Sequence, residues 1–178
     1  MSSGYKILKL QSAIALKACV DLYLHSPYGI DPSSMTDPAL CLNNIRKVGL
    51  GDNGAVIGAY KDSHLVAFML IRKGLSNLHS PDISLMQEYY VTSLTGFSAA
   101  RILVLMHNEL ERLGREQGVN SVKSHASHLD NEQVLCKILE KAGWSRCGYV
   151  VFKRLRDDVR NSRLTLATSV TCDECPTG

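Results

Sequence analysis

Three groups of residues in this 178-residue chain are of types that do chemistry. The first is Thr95-Gly96-Phe97-Ser98-Ala99-Ala100, a small-residue loop running into the best amphipathic stretch of the chain. A loop that opens a helix presents backbone N–H groups without partners, and the helix dipole adds partial positive charge there. Such an end is an anion site suited to a pyrophosphate, and Gly96, Ser98, Ala99 and Ala100 are small enough for a ligand to come close. The second group is Ser124-His125-Ala126-Ser127-His128, two histidines three apart at a strand end. With the third, Cys172-x-x-Cys175, they have the donor types of a His2Cys2 zinc site. A single CxxC in a polar tail commonly has no partner, so the reading adopted is polar loop histidines, an unliganded terminal pair and no metal. A redox role for Cys172 and Cys175 also fails, because such motifs open a helix after a strand and this one does not.

The elements that must position these groups follow from punctuation and periodicity. Tyr5 to Leu10 is weakly strand-like. Ser12 is the N-cap of a helix carrying Ile14, Leu16, Ala18, Leu22 and Leu24, which Pro27 ends. Gly29 to Pro38 reads as a loop, and Leu40 to Val48 as a short helix stopped by glycines. Ala55 to Tyr60 and Leu65 to Ile71 are β-rich runs around Lys61-Asp62-Ser63-His64, the pattern of a β-hairpin. A loop over Gly74 to Pro81 leads to a strand from Ile83 to Val91, whose polar Ser84 and Gln87 suggest a strand not buried on both faces throughout. Ser98 to Gln117 is a helix with the stripe Ile102, Leu103, Met106, Leu110 and Leu113, closed by Gly118. Val119 to Ala126 is a strand. Asp130 or Asn131 caps a last helix with Val134, Leu135, Ile138 and Leu139 inside, and Gly148 to Leu155 closes as a strand. Trp144 is expected in the core. The fold class is therefore α/β in the α+β sense: one domain over 1–155, with a mixed, mostly antiparallel central sheet flanked by helices.

Composition narrows the function classes. Hydrophobic residues make up 45% and charged residues 21%, ordinary globular usage, which excludes a disordered, collagen-like or coiled-coil chain. No apolar run reaches the roughly 18 residues that span a bilayer, and MSSGYKILKL lacks the apolar stretch of a signal peptide. A soluble, cytoplasmic chain with no membrane partner is expected. A net charge of +3 from scattered basic residues argues against nucleic acid as a partner. Of the six cysteines, Cys19, Cys41, Cys136 and Cys147 sit among apolar neighbours and read as free buried thiols. Residues 156–178 change character to a charged, then Thr- and Ser-rich C-terminal tail, which would need a protein partner or oligomer to hold it.

The second half of the chain resembles the GNAT superfamily of acyl-CoA-dependent N-acyltransferases, over about Ala55 to Leu155. Ile138-Leu139-Glu140-Lys141-Ala142-Gly143-Trp144, followed by Cys147-Gly148-Tyr149 and Val150-Val151-Phe152-Lys153, is similar to the family's last helix, its "GF" ending and its closing strand. The strand to Val91, the loop Thr92 to Ser98 and the helix after it are similar to the family's acyl-CoA site. The chain also looks similar to GNAT-like proteins of tailed bacteriophages, which would put it in a host cytoplasm or a virion.

The resemblance implies acetyl transfer from acetyl-CoA, as co-substrate, to an amine acceptor. It implies that Gly96, Phe97, Ser98, Ala99 and Ala100 hold the pyrophosphate, that the backbone of Tyr90 and Val91 pairs with the pantetheine amides, and that Asn131 stands near the family's helix-opening asparagine, one residue further from the glycine than usual. Glu88, on the strand beside the thioester and on the face opposite Tyr89 and Val91, is the candidate base that takes the ammonium proton. The sequence departs from the family at three places. Ser93 stands where Arg or Gln is preferred, Ser98 where Gly or Ala is, and Leu139 where a tyrosine acid is frequent. The departures imply a weaker grip on the pyrophosphate. They also imply an alternative, a GNAT-fold structural component of a larger assembly, such as a bacteriophage virion, that has lost catalysis.

Overall fold

Ser12 opens the first helix in extended conformation, its side chain accepting from the Ala15 N–H at 3.1 Å, so a hydroxyl replaces the missing turn of backbone acceptors. From there the computed structural model describes residues 4–26, 37–77, 80–125, 132–147 and 150–154. The elements are β1 (Tyr5–Lys9), α1 (Ala13–His25), α2 (Pro38–Gly49), β2 (Gly54–Lys61), β3 (His64–Asn77), β4 (Ser80–Thr92), α3 (Gly96–Glu116), β5 (Ser121–His125), α4 (Glu132–Lys141), β6 (Ser145–Cys147) and β7 (Val150–Arg154). The strands form one sheet in the order β1-β2-β3-β4-β5-β7-β6. β4 and β5 run parallel and every other neighbouring pair runs antiparallel, the mixed, mostly antiparallel sheet that the pattern of elements calls for.

The sheet separates two apolar layers. On one face α1 and α2 bring Leu16, Cys19, Val20 and Ile45 onto Val56, Phe68, Leu70 and Val91. On the other, α3 and α4 bring Ile102, Met106, Leu110 and Leu139, with Trp144, onto Ile57, Met69, Ile71 and Leu85. The alternation along β2 explains the division, because Ala55, Ile57 and Ala59 point to one layer while Val56 points to the other.

Several local expectations are corrected. Asp37 and Pro38 do not close a loop but start α2: Asp37 accepts from the Ala39 N–H at 2.8 Å, and Pro38 occupies the first helical position, where its missing N–H costs nothing. Gly74 to Pro81 is not a loop, since β3 runs to Asn77 and β4 begins at Ser80. Pro81 is tolerated because β4 pairs with β5 only from Ser84 onward. Ser84 and Gln87 are both buried, so the polar residues of β4 do not mark a wet face: Gln87 meets Ser124, while the Ser84 hydroxyl has no hydrogen-bond partner among the described residues. Ile14 is 85% exposed and Val134 53%, so neither lies inside. The closing strand is preceded by an unforeseen one, β6, which pairs with β7 antiparallel. The last helix begins at Glu132, and its expected cap at Asp130 or Asn131 lies outside the described residues. Among the described residues, no helix is long and apolar enough to cross a membrane.

Candidate acyl-donor and acceptor site

The site is built where β4 loses a partner. β4 pairs with β5 from Ser84 to Gln87, opposite Ser121 to Ser124, and the pairing ends there while β4 continues to Thr92 along β3. At the same point the β3–β4 register shifts. Leu70 faces Tyr89 and Ile71 faces Gln87, leaving Glu88 as the extra residue of a β-bulge. A bulge twists the strand and breaks the alternation of its side chains, and the broken alternation is visible. Leu85 packs into the α3/α4 layer, but beyond the bulge it is Val91 that packs into the α1/α2 layer.

Glu88 therefore does not lie opposite Tyr89 and Val91. Its Oε1 accepts from Arg72 Nε at 2.8 Å, and Arg72 alternates with Phe68 and Leu70 on the α1/α2 face. Tyr89 lines a cleft with residues of α1 and α2. Glu88, Tyr89 and Val91 share that face because the bulge adds a residue between Gln87 and Tyr89. Tyr90 points the other way, packs against the α3/α4 layer and gives its hydroxyl to the Ala99 carbonyl at 3.5 Å, tying β4 to the first turn of α3.

The loop from β4 to α3 is fastened to one atom. The Val66 carbonyl receives Thr92 Oγ1 at 3.0 Å, the Ser93 N–H at 3.0 Å and Ser93 Oγ at 3.3 Å, and Thr92 Oγ1 in turn accepts from the Leu94 N–H at 3.1 Å. Thr95 then caps α3 in extended conformation with no side-chain hydrogen bond to the helix, and Gly96 takes φ of +57°. The amino end of α3 is thus a turn of backbone donors that no cap side chain satisfies, next to the part of β4 that lies beyond its pairing with β5. Gly96, Phe97 and Ser98 are exposed there, Phe97 at 84%, and Ala99 and Ala100 are half-buried. Asn131 lies outside the described residues, as do His128, Cys172 and Cys175. Among the described residues, no group of three or more His, Cys, Asp or Glu could hold a metal ion.

Beneath the point where β4 and β5 part lies a polar group that the sequence reading did not single out. His107 of α3 is buried, with Nδ1 at 2.8 Å from the Leu103 carbonyl and Nε2 at 2.8 Å from Ser124 Oγ, which also meets Gln87 Oε1. Burial holds the His107 pKa down to about 4, against the smaller raising effect of the Leu103 carbonyl. The ring is neutral. A carbonyl only accepts, so the ring hydrogen is on Nδ1 and Nε2 takes the Ser124 hydrogen. Ser124 then has no hydrogen left for Gln87, whose amide must turn its nitrogen toward Ser124. Trp144 stands edge-on to His107, with ring centroids 5.0 Å apart at 81°. The sequence signal was available: His107 follows Leu103 by four and precedes Leu110 by three, on the apolar stripe of α3.

On the α1/α2 face a cleft of about 260 Å³ opens over Phe68 and Leu70, walled by Tyr23, Leu40 and Tyr89, with Asp37 at the start of α2. Burial raises the pKa of both Tyr23 and Cys41 here, and for Tyr23 the neighbouring Cys41 and Tyr89 add to it. Both lining groups are neutral near pH 7.

No protein-family model and no curated protein matches the sequence. The solved structures supply the class of fold. A ribosomal-protein-alanine N-acetyltransferase from Brucella melitensis matches at TM-score 0.64 and 15% identity, over 84% of this chain and 99% of that one. A GNAT-family acetyltransferase from Streptococcus pneumoniae matches at 0.64 and 10%, over 85% and 99%. An aminoglycoside antibiotic 6'-N-acetyltransferase from Acinetobacter baumannii matches at 0.62 and 15%, over 80% and 92%. The fold is that of the GNAT acetyltransferases. At these identities the likeness is one of fold.

Proposed function

We propose that the chain is a GNAT-type N-acyltransferase that moves an acetyl group from acetyl-CoA to a primary amine. One coincidence carries the reading: the bulge of β4, placed where its pairing with β5 ends, meets the uncapped amino end of α3 at a single place in this fold. The backbone of Tyr90 and Val91 would pair with the pantetheine amides. The first-turn N–H groups of Gly96, Phe97 and Ser98 would receive the pyrophosphate, whose charge the helix dipole favours. Ala99, whose own N–H goes to the Thr95 carbonyl, and Ala100 leave room for it by their small size; Asn131 is a further candidate contact to the donor. The amine nitrogen attacks the thioester carbonyl, the C–S bond breaks, and the CoA thiolate leaves. Before the attack Glu88, directly or through a water, takes the ammonium proton and frees the nitrogen lone pair; the second nitrogen proton, made acidic by the new bond, goes to the departing thiolate.

Calorimetric titration with acetyl-CoA, and with CoA in parallel, tests the reading. Micromolar binding of both is expected. No heat and no thermal shift would overturn it. Glu88→Gln is expected to lower the rate of transfer about 100-fold while leaving acetyl-CoA affinity unchanged. A second reading, a GNAT-fold component of a larger assembly such as a virion without turnover, is favoured by Leu139. Where a tyrosine acid is frequent, this chain has a leucine 2% exposed in the core.

A further inference from the structure

The cleft on the α1/α2 face has a lining that selects among amines. Phe68 and Leu70 form its floor, 2% and 6% exposed, while Leu40 and Tyr89 at its sides leave 56% and 50% of their surface uncovered. Large apolar side chains left uncovered around a concavity are what a compact apolar body would cover. The volume of about 260 Å³ falls just under the range of drug-sized pockets, roughly 300–1,000 Å³. Among the described lining residues Asp37 is the one carboxylate, and there is no lysine or arginine. Tyr23 and Cys41 are neutral there, so the lining presents a single negative charge. Asp37 Oδ1 is engaged with the Ala39 N–H, and a carboxylate has lone pairs to accept more than one donor. Tyr89 directly follows Glu88, so a ligand in the cleft lies beside the bulge.

From this lining we infer that the acceptor is a small monoamine: one primary ammonium on a flat apolar or aromatic body, without a carboxylate and without a second positive charge. The inference rests on the acyl-transfer reading and names its acceptor. A polyamine or aminosugar antibiotic would bring several cations to one carboxylate and would leave the apolar walls against polar surface. An amino acid would bring its own carboxylate to Asp37.

The test uses the full-length protein and four probes: 2-phenylethylamine, phenylalanine, spermidine and kanamycin. Binding is measured by calorimetry without acyl donor, and thiol release is then followed after adding acetyl-CoA. 2-Phenylethylamine is expected to bind at least tenfold more tightly than the other three. Asp37→Asn keeps a good helix cap and removes the charge; it is expected to weaken 2-phenylethylamine at least tenfold with an unchanged thermal midpoint. Leu40→Asp, on an exposed wall, is expected to weaken it through lost apolar contact without unfolding. Absence of 2-phenylethylamine binding at millimolar concentration, equal or tighter binding of spermidine or kanamycin, or indifference to Asp37→Asn each overturns the inference. Asp37-dependent binding of 2-phenylethylamine without thiol release keeps the ligand class of the cleft but overturns its role as acceptor, together with the transferase reading. Thiol release with spermidine alone supports the transferase reading and removes the acceptor class.

Discussion

Glu88 and His107 are both polar, yet their surroundings give them different roles. Glu88 is half-buried against Arg72 at a bulge, within reach of water, and is the group proposed above as the base. His107 is sealed between α3 and the sheet, and its ring holds Ser124 and, through it, the last paired residue of β4. A buried neutral histidine makes stability depend on pH in a definite direction. Its folded pKa, about 4, lies below its ordinary 6.5, so between these values the unfolded chain binds a proton that the folded chain refuses. Stability from this group is complete above pH 6.5 and is lost as pH falls toward 4, by up to about 1.4 kcal/mol per pH unit. Urea unfolding at a series of pH values should show that slope, and His107→Gln should reduce it by close to one proton. An unchanged slope in the variant would mean that other groups set the acid limit.

At the scale of elements, the β2–β3 hairpin shows how a turn can be right in place and poor in chemistry. Its two connecting residues, Asp62 and Ser63, both have positive φ, 48° and 66°, the conformation of a type I′ turn. Asparagine and glycine take that conformation at much lower cost than aspartate and serine. The double change Asp62→Asn, Ser63→Gly should stabilise the protein by about 1 kcal/mol, read as a rise of roughly 2–4 °C in thermal midpoint for a chain of this size. The start of α3 makes the opposite case. Gly96 has φ of +57°, and a Cβ there would meet nothing within 4 Å, so backbone conformation alone resists substitution. Gly96→Ala should cost about 1 kcal/mol of stability and, by shifting the first turn, weaken acetyl-CoA in the same calorimetric titration. A stable variant with native affinity would detach that turn from the donor site.

The described residues form one sheet with a separate apolar layer on each face. Leu16 lies in the α1/α2 layer and Met106 in the α3/α4 layer, both fully buried. Leu16→Ala and Met106→Ala should each cost about 2–5 kcal/mol. With the sheet between them and no shared neighbours, the double variant should lose the sum to within about 0.5 kcal/mol. Denaturant unfolding of the four proteins measures this directly, and a large coupling term would show strain passing through β2 and β3. The donor would lie along β4 beyond its pairing with β5 and at the amino end of α3, the acceptor over the α1/α2 face, with the bulge between them.

Much of this was legible in the amino-acid order, because it depends on neighbours in the chain. Ser12 as a cap, the stripe Ile102 to Leu113, Gly118 and Gly143 as stops, the turn at Asp62-Ser63 and the loop at Gly96 are set by local sterics and hydrogen bonds. What was not legible depends on partners far away. Gln87 looks like a surface residue until Ser124 of β5 and His107 of α3 close over it, and Ser84, equally polar, is buried as well. Glu88 alternates away from Tyr89 on paper and shares its face in space, because whether a strand bulges is decided by the register of the strand beside it. Asp37 and Leu40 of α2 form one cleft with Tyr23 of α1 and Tyr89 of β4 only when both helices pack on the same side of the sheet. Local order thus determined the helices, the cap at Ser12 and the β2–β3 hairpin, but not the length of β3 and β4 or the existence of β6. Register and packing, which act between segments distant in the chain, decided which side chains meet.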